Sequence, residues 1–381
     1  MKVIKATGQH LKDIMEIIGH AQAYLAGLNI DQWQNGYPNE DRILQDIALN
    51  ASYLLLDENE KIMATAMFTT DPEPTYASIL GEWITPQNAK YGVIHRMAVH
   101  NDYRKTGAAR KLFDYFENQL TNLNIASMRI DTHEDNLGMQ KLLKLNNYHY
   151  CGIIHLDDGA KRLAFEKIIV SNEDLKRDTL KTWDGLAAAY ADKFMHLDIY
   201  DDSYKSFCSL LPENAKVLEL GAGPGNVSKK ILELRPDLDL HVTDSSINMI
   251  EKAKEFIPEV RTTLLDLYTL NSHNEKYDAI LCAFVLPYIS SSKLKEVIEN
   301  ITRLLNPKGV LYVSFVPATG SKIKLHGDHE KGRMLFHYHD RKELVDILNK
   351  LHFTIKTNLS INYDLPEGNS EIHEVLISEL S

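Results

Sequence analysis

The chain has 381 residues, 44% of them apolar and 25% charged, with a formal net charge of −11. That length suggests two or three domains, each able to bury a core, and the acidic balance argues against an extended nucleic-acid-binding face. Cys151, Cys208 and Cys282 are too scattered for a disulfide framework or a metal knuckle, while neither a signal-peptide core nor a run of about 18 apolar residues occurs, so we expect a cytoplasmic protein acting on small molecules, away from membranes.

The chain opens with a strand-like alternation over residues 2–6. Apolar residues at 11, 14, 15, 18, 21 and 25 then follow the helical period. After a loop rich in Trp, Gly and Pro at 32–38, a second helix is predicted over 39–49. Strands follow at 53–56 and 62–69, joined by an Asp-Glu-Asn-Glu turn. Residues 93–99 read as another strand, leading into Arg104, Lys105, Thr106, Gly107, Ala108 and Ala109 and then a long helix to 122. Small residues at a strand-to-helix junction let the backbone close on a pyrophosphate. The helix start supplies N–H donors, and Arg104, Lys105, Arg110 and Lys111 add positive field.

The R-x-x-G-x-A spacing at 104–109 resembles motif A of the GNAT superfamily of N-acetyltransferases, and residues 128–153 resemble its motif B. The resemblance covers roughly residues 1–168, with a last strand expected at 163–168. It implies a mixed, mostly antiparallel α/β sheet and acetyl-CoA as cofactor. Met97, Ala98 and Val99 would hold the pantetheine, residues 104–109 the pyrophosphate, and Asn136 would sit close by. The Val99 N–H would polarise the thioester carbonyl. Many relatives carry a tyrosine seven residues after the motif B asparagine, to protonate the leaving thiolate; here that place is Leu143. His133, His95 and Glu82 are the candidates for proton handling, and Tyr148 is expected in the core.

A polar joint is predicted near 169–178, separating a domain of residues 1–168 from one of residues 178–381. Two helices, 182–194 and 199–211, precede the stretch VLELGAGPG at 217–225. This reads as a buried strand, a glycine turn and a helix, the first unit of a Rossmann-like doubly wound α/β sheet. Asn226 stands where a dinucleotide fingerprint needs its third glycine, and Glu219 is an acid at the strand end, so an NAD-linked enzyme is disfavoured.

E-L-G-A-G-P-G at 219–225 resembles the first motif of the class I S-adenosylmethionine-dependent methyltransferases. Four further landmarks follow in order at 240–249, 264–267, 277–283 and 304–313. The resemblance implies S-adenosyl-L-methionine as cofactor. Glu219 would serve its methionyl end, and Gly221, Ala222 and Gly223 would meet it with main chain. Asp244 would accept from the ribose hydroxyls, with Ser245 and Met249 following it. Asp266 and Leu267 would lie at the adenine, and Ala283 would close the fourth strand beside the cofactor. Tyr190 would fold over it. The Asn/Asp-Pro-Pro-aromatic motif of base and glutamine methylators is missing at 282–288, which favours a small acceptor. Residues 317–332 are polar and glycine-containing, which suggests a lid. His337 or His339 would accept a substrate proton; His326, His329, His337 and His339 lack a compact metal-ligand spacing. The expected protein is therefore bifunctional, methylating a small molecule and acetylating an amine. In the alternative, the first domain is a non-catalytic acetyl-CoA-binding module.

Overall fold

The structure is a computed structural model describing residues 1–328, 332–365, 368 and 370–381. The chain folds as two compact units, Met1–Asn172 and Glu173–Ser381.

In the first unit the strands are β1 (Lys2–Lys5), β2 (Ser52–Leu56), β3 (Ile62–Thr69), β4 (Leu80–Gly81), β5 (Gly92–Val99), β6 (Ser127–Thr132), β7 (His149–His155) and β8 (Lys161–Ile168). The helices are α1 (Leu11–Gly27), α2 (Glu40–Ala48), α3 (Ala108–Asn122) and α4 (Leu137–Leu145). Helix α3 buries Leu112, Phe113, Phe116 and Leu120, a helical-period stripe, against the sheet. Its Phe116 stacks on Phe68 of β3 at 4.6 Å.

The strand order is β1-β2-β3-β5-β6-β8-β7-β4. Neighbours are antiparallel except β5 and β6, which pair in parallel only at Gly92↔Met128 and Val93↔Arg129. Beyond that point the two strands part. Arg129, at the last paired position, is fully buried between the rings of Trp83 and Tyr91 and bonds Glu166 at 3.0 Å. Glu166 in turn accepts from the backbone of Ile84 and Thr85. This satisfied buried pair fixes the base of the opening; removing one partner would leave a buried charge unpaired.

The second unit begins with α5 (Asn172–Phe194) and α6 (Asp201–Ser209). It continues with β9 (Lys216–Leu220), α7 (Asn226–Leu234), β10 (Asp239–Asp244), α8 (Ile247–Phe256), β11 (Arg261–Leu264), β12 (Tyr277–Ala283) and α9 (Ser291–Leu304). Then come β13 (Leu305–Phe315), β14 (Pro317–Ala318), β15 (Lys322–Asp328), β16 (Gly332–Asp340), α10 (Arg341–Lys350), β17 (Phe353–Asp364) and β18 (Ser370–Leu380). The main sheet runs β11-β10-β9-β12-β13-β18-β17. Its first five strands are parallel, and β18 is antiparallel to both neighbours. Alternate residues serve opposite cores: Ile280 and Cys282 pack on one face, Ala279 and Leu281 on the other. The winding reverses between β9 and β12, which opens the crevice of a doubly wound sheet there.

The joint near 169–178 holds the start of α5 at Asn172, where the chain divides into its two units. One local expectation changes. Residues 322–328 and 332–340 pair as antiparallel strands β15 and β16, in register from Lys322↔Tyr338 to Asp328↔Gly332. Ile323 and Leu325 alternate with lysines there, a period of two too short to stand out beside the glycines and charges around it.

Candidate functional sites

In the first unit, a cavity of about 1450 Å³ opens where β5 leaves β6. A β-bulge re-aims the end of β5: between the pairs Thr65↔Ala98 and Met67↔His95, one residue of β3 (Ala66) faces two of β5 (Arg96 and Met97). The extra residue works through Arg96, whose φ is +50°. Its guanidinium is buried, bonding Asp46 at 2.6 and 2.9 Å and the Tyr37 hydroxyl at 2.6 Å. Past the bulge, His100 N–H donates to Met63 O on β3. Successive N–H groups of a strand alternate in direction, so the Val99 N–H faces the edge that β6 has left.

Met97, Ala98, Val99, Arg104, Lys105, Gly107, Ala108, Ala109 and Asn136 all line this cavity. Thr106 does not; its hydroxyl donates to Tyr103 O at 2.6 Å within its own turn. Gly107 has φ +88° and precedes α3, and a Cβ built on it would meet no protein atom within 4 Å. The loop is therefore a backbone cradle open toward the cavity, at the positive end of a 15-residue helix, with Arg104 stacked 3.7 Å over the ring of Tyr24. It fits a pyrophosphate. Asn136 caps α4 by accepting from Met139 N and donates to Gln32 at 2.9 Å.

Of the proton-handling candidates, only His95 lines the cavity. Its Nε2 lies 3.0 Å from Glu73, and its Nδ1 lies 3.7 Å from Asp131, which accepts from the Tyr76 hydroxyl at 2.8 Å. The bond to His95 holds the Glu73 carboxyl down to about 2. His133 instead accepts from Asp135 N in the turn before α4, and Glu82 is exposed beside β4; neither lines the cavity. Leu143 and Tyr148 are buried in the core. Glu73 carried no signal in the sequence, and Asp131, though it lies within the motif B stretch, was not singled out there.

In the second unit, Gly221, Gly223 and Gly225 take φ of +65°, +57° and +84° between β9 and α7. Ala222 is buried, its N–H donating to Thr243 O. A Cβ at Gly221 would collide with Val285, so the first glycine is required by packing. Glu219 is 1% exposed and bonded to the Ser228 hydroxyl; burial pushes its carboxyl up to about 8. Such a carboxyl is poised to receive an ammonium group. Asp244 accepts from Gly223 N at 2.9 Å and Ser246 N at 2.8 Å. Ser245 is exposed beside it, and Met249 is buried near Gly223. Leu267 packs half-buried beside Asp266, and Ala283 ends β12 at the crevice.

Helix α5 covers this crevice. Tyr190 lies 3.7 Å from the Cβ position of Gly223 and contacts Trp183 and Phe194. Lys176 pairs with Asp266 at 2.6 Å, Asp178 with Arg333 at 2.6 Å, and Asp184 accepts from Ser246 Oγ and Asn248 N at 2.8 and 3.0 Å. Glu219, Asp244 and Asp266 thus stand at or just past the carboxyl ends of the adjacent strands β9, β10 and β11. The proposed lid strand β16 packs near the turn after β12: Phe336 meets Tyr288 at 5.6 Å. His337 is buried on β16, and His339 contacts Leu286 O at 2.8 Å, its pKa lowered by burial. His329 lies outside the described residues.

Comparison with known proteins finds a family match in each unit. Residues 22–148 match the acetyltransferase (GNAT) family, and residues 218–311 match a methyltransferase domain. Trans-aconitate 2-methyltransferase of Variovorax paradoxus is 31% identical over 103 residues, 27% of this chain and 39% of its own length. A GNAT-family acetyltransferase structure from Streptococcus agalactiae is 31% identical, covering 44% of this chain and 94% of that one, with a TM-score of 0.40. The 1,6-didemethyltoxoflavin-N1-methyltransferase of Burkholderia thailandensis, solved with 1,6-didemethyltoxoflavin and S-adenosylhomocysteine, is 17% identical over 61% of this chain and 99% of its own, with a TM-score of 0.46. The chain spans about half the length of the curated relatives it matches, 39% to 60% across three of them. The chain belongs to the GNAT acetyltransferase family in its first unit and carries a methyltransferase domain in its second.

Proposed function

We propose that the protein is a bifunctional transferase that methylates one small molecule with S-adenosyl-L-methionine and acetylates an amine with acetyl-CoA. The observation that carries the methyl half is the edge formed by Glu219, Asp244 and Asp266 beside three left-handed glycines. When bound, the donor supplies an electrophilic methyl group. The chain's own task is to fix the geometry: Glu219 takes the ammonium, Asp244 the ribose and Asp266 the adenine amine, while Tyr190 and α5 exclude water. The acidic balance and the aromatic lining favour a small acceptor over nucleic acid.

The acetyl half rests on the parted strands β5 and β6 and the open cradle at Gly107. The bound thioester supplies the acyl group. Arg104, Lys105 and the start of α3 hold its phosphates, the Val99 N–H stabilises charge on the carbonyl oxygen, and His95, oriented by Glu73, receives the amine proton. Thiol release from acetyl-CoA with an amine panel tests this half; S-adenosylhomocysteine formation with a panel of small acceptors tests the other. Saturable binding of acetyl-CoA with no turnover on any amine would favour a second reading, a non-catalytic binding module, which the burial of Leu143 in place of a tyrosine supports. No helix among the described residues is long and apolar enough to cross a membrane, which suits a cytoplasmic enzyme.

A further inference from the structure

One buried polar chain of the second unit has no part in holding the donor. Strand β18 runs antiparallel to β13 with Glu374 opposite Phe315, so its first residues stand beyond the carboxyl ends of the parallel strands. That is the edge where ligands of doubly wound sheets bind. His373 lies there, 6% exposed, between two partners. Its Nδ1 is 2.5 Å from the Tyr200 hydroxyl, and its Nε2 is 2.9 Å from Glu371. An ionised carboxylate only accepts, so Nε2 carries the hydrogen and Nδ1 accepts from Tyr200. The hydrogen bonds therefore run in one direction, from hydroxyl to imidazole to carboxylate.

Phe284 is the second, independent observation. It directly follows β12 at the switch point, and its φ is +55°, a left-handed conformation strained for a non-glycine residue. Strain of this kind concentrates where a side chain must be aimed. The strained turn puts the Phe284 ring 4.7 Å from His373 and 5.2 Å from Tyr200. Tyr363 stacks on His373 at 4.8 Å, its ring within 14° of parallel. The polar chain thus sits among flat aromatic walls.

We propose that Tyr200, His373 and Glu371 form a proton relay for a planar aromatic methyl acceptor bearing an ionisable O–H or N–H, seated against Phe284 and Tyr363. The proposal rests on the methyltransferase reading. As the acceptor's O or N forms its bond to the methyl carbon, the carbon–sulfur bond breaks and its electron pair stays on sulfur. The acceptor's proton passes to the Tyr200 oxygen while the Tyr200 proton passes to His373 Nδ1, and Glu371 stabilises the resulting imidazolium. His373 is neutral beforehand, because burial lowers its pKa. Among the described residues, the titratable groups facing the relay are Tyr190 from α5, Tyr204 from α6, Tyr312 from β13 and Tyr363 from β17; burial raises the pKa of Tyr190, Tyr204 and Tyr312, so all three stay protonated near neutrality.

The test uses the full chain saturated with S-adenosylhomocysteine and titrated with 4-nitrophenol, whose absorbance reports its ionisation. The expected result is saturable binding with the phenol's ionisation midpoint lowered by about one unit, a tenfold effect. His373→Gln and Tyr200→Phe should abolish that shift while keeping affinity for S-adenosylhomocysteine within about twofold, which also shows that the variants fold. No saturable binding of the phenol, or the same midpoint in wild type and both variants, overturns the relay alone. Failure of S-adenosylhomocysteine to bind wild type overturns the methyltransferase reading and the relay with it.

Discussion

On the proposed reading, the two sites grip a nucleotide-bearing donor in opposite ways. In the first unit the cradle at Gly107 faces a cavity of about 1450 Å³, and the buried Arg129–Glu166 pair lies at the last position where β5 and β6 remain paired. In the second, Tyr190 lies on Gly223 and Lys176 already occupies Asp266. A preformed cavity binds without rearrangement, whereas a covered crevice must first lose its own contacts, which lowers apparent affinity and slows association. On this reading the first site rests on open backbone, and the second would open only as α5 gives up those contacts.

The largest expected effect breaks the first site. Gly107→Val puts a branched side chain into the cradle at φ +88°. Backbone strain there costs about 1–3 kcal/mol, but loss of the pyrophosphate seat should lower acetyl-CoA affinity roughly 100-fold or more by calorimetry, with S-adenosylhomocysteine affinity unchanged. Asp244→Ala removes a carboxylate that accepts from Gly223 and Ser246. It should weaken S-adenosylhomocysteine binding about 10- to 100-fold and leave acetyl-CoA affinity as it was.

A smaller effect sharpens the contrast through pH. The Glu219 carboxyl ionises near 4.5 in an unfolded chain and at about 8 in the buried site. The fold therefore holds an extra proton between those values, and stability falls as pH rises from about 4.5 toward 8. In Glu219→Gln that contribution vanishes, so the melting temperature should decline less than wild type's between pH 5 and pH 8. S-adenosylhomocysteine binding near pH 7 should release a proton, seen as a calorimetric enthalpy that varies with the buffer's ionisation heat; the variant should show no such dependence. The smallest effect concerns the cover. Asp184→Ala removes the bonds to Ser246 and Asn248 and should speed S-adenosylhomocysteine association a few-fold in stopped-flow fluorescence of Trp183.

The parts that the sequence made legible are those where backbone chemistry dictates residue type. Glycines at 107, 221, 223 and 225 all adopt positive φ, and only glycine does so without cost. The alternation and helical periods placed β2, β3, α1, α2 and the end of α3 within a few residues, whereas α5 begins at Asn172 against a predicted 182 and β15 and β16 were not foreseen. What stayed hidden depends on contacts between distant positions. Lys176 meets Asp266 across 90 residues, Tyr200 meets His373 across 173, and Arg129 meets Glu166 across 37. None has a spacing signal, because the fold, not the local pattern, brings the partners together. His133 and Glu82 show the converse. Both are polar residues near a motif, yet the turn before α4 and the edge at β4 keep them off the cavity. His95 reaches it because the bulge at Arg96 sits beside it on β5.

The most direct test of two separate donor sites is a pair of calorimetric titrations on the full chain, with CoA and with S-adenosylhomocysteine, repeated for Gly107→Val and Asp244→Ala. Two independent one-to-one sites are predicted, Gly107→Val losing only the first and Asp244→Ala only the second. Loss of both ligands in either variant, or competition between them for a single site, would contradict the account.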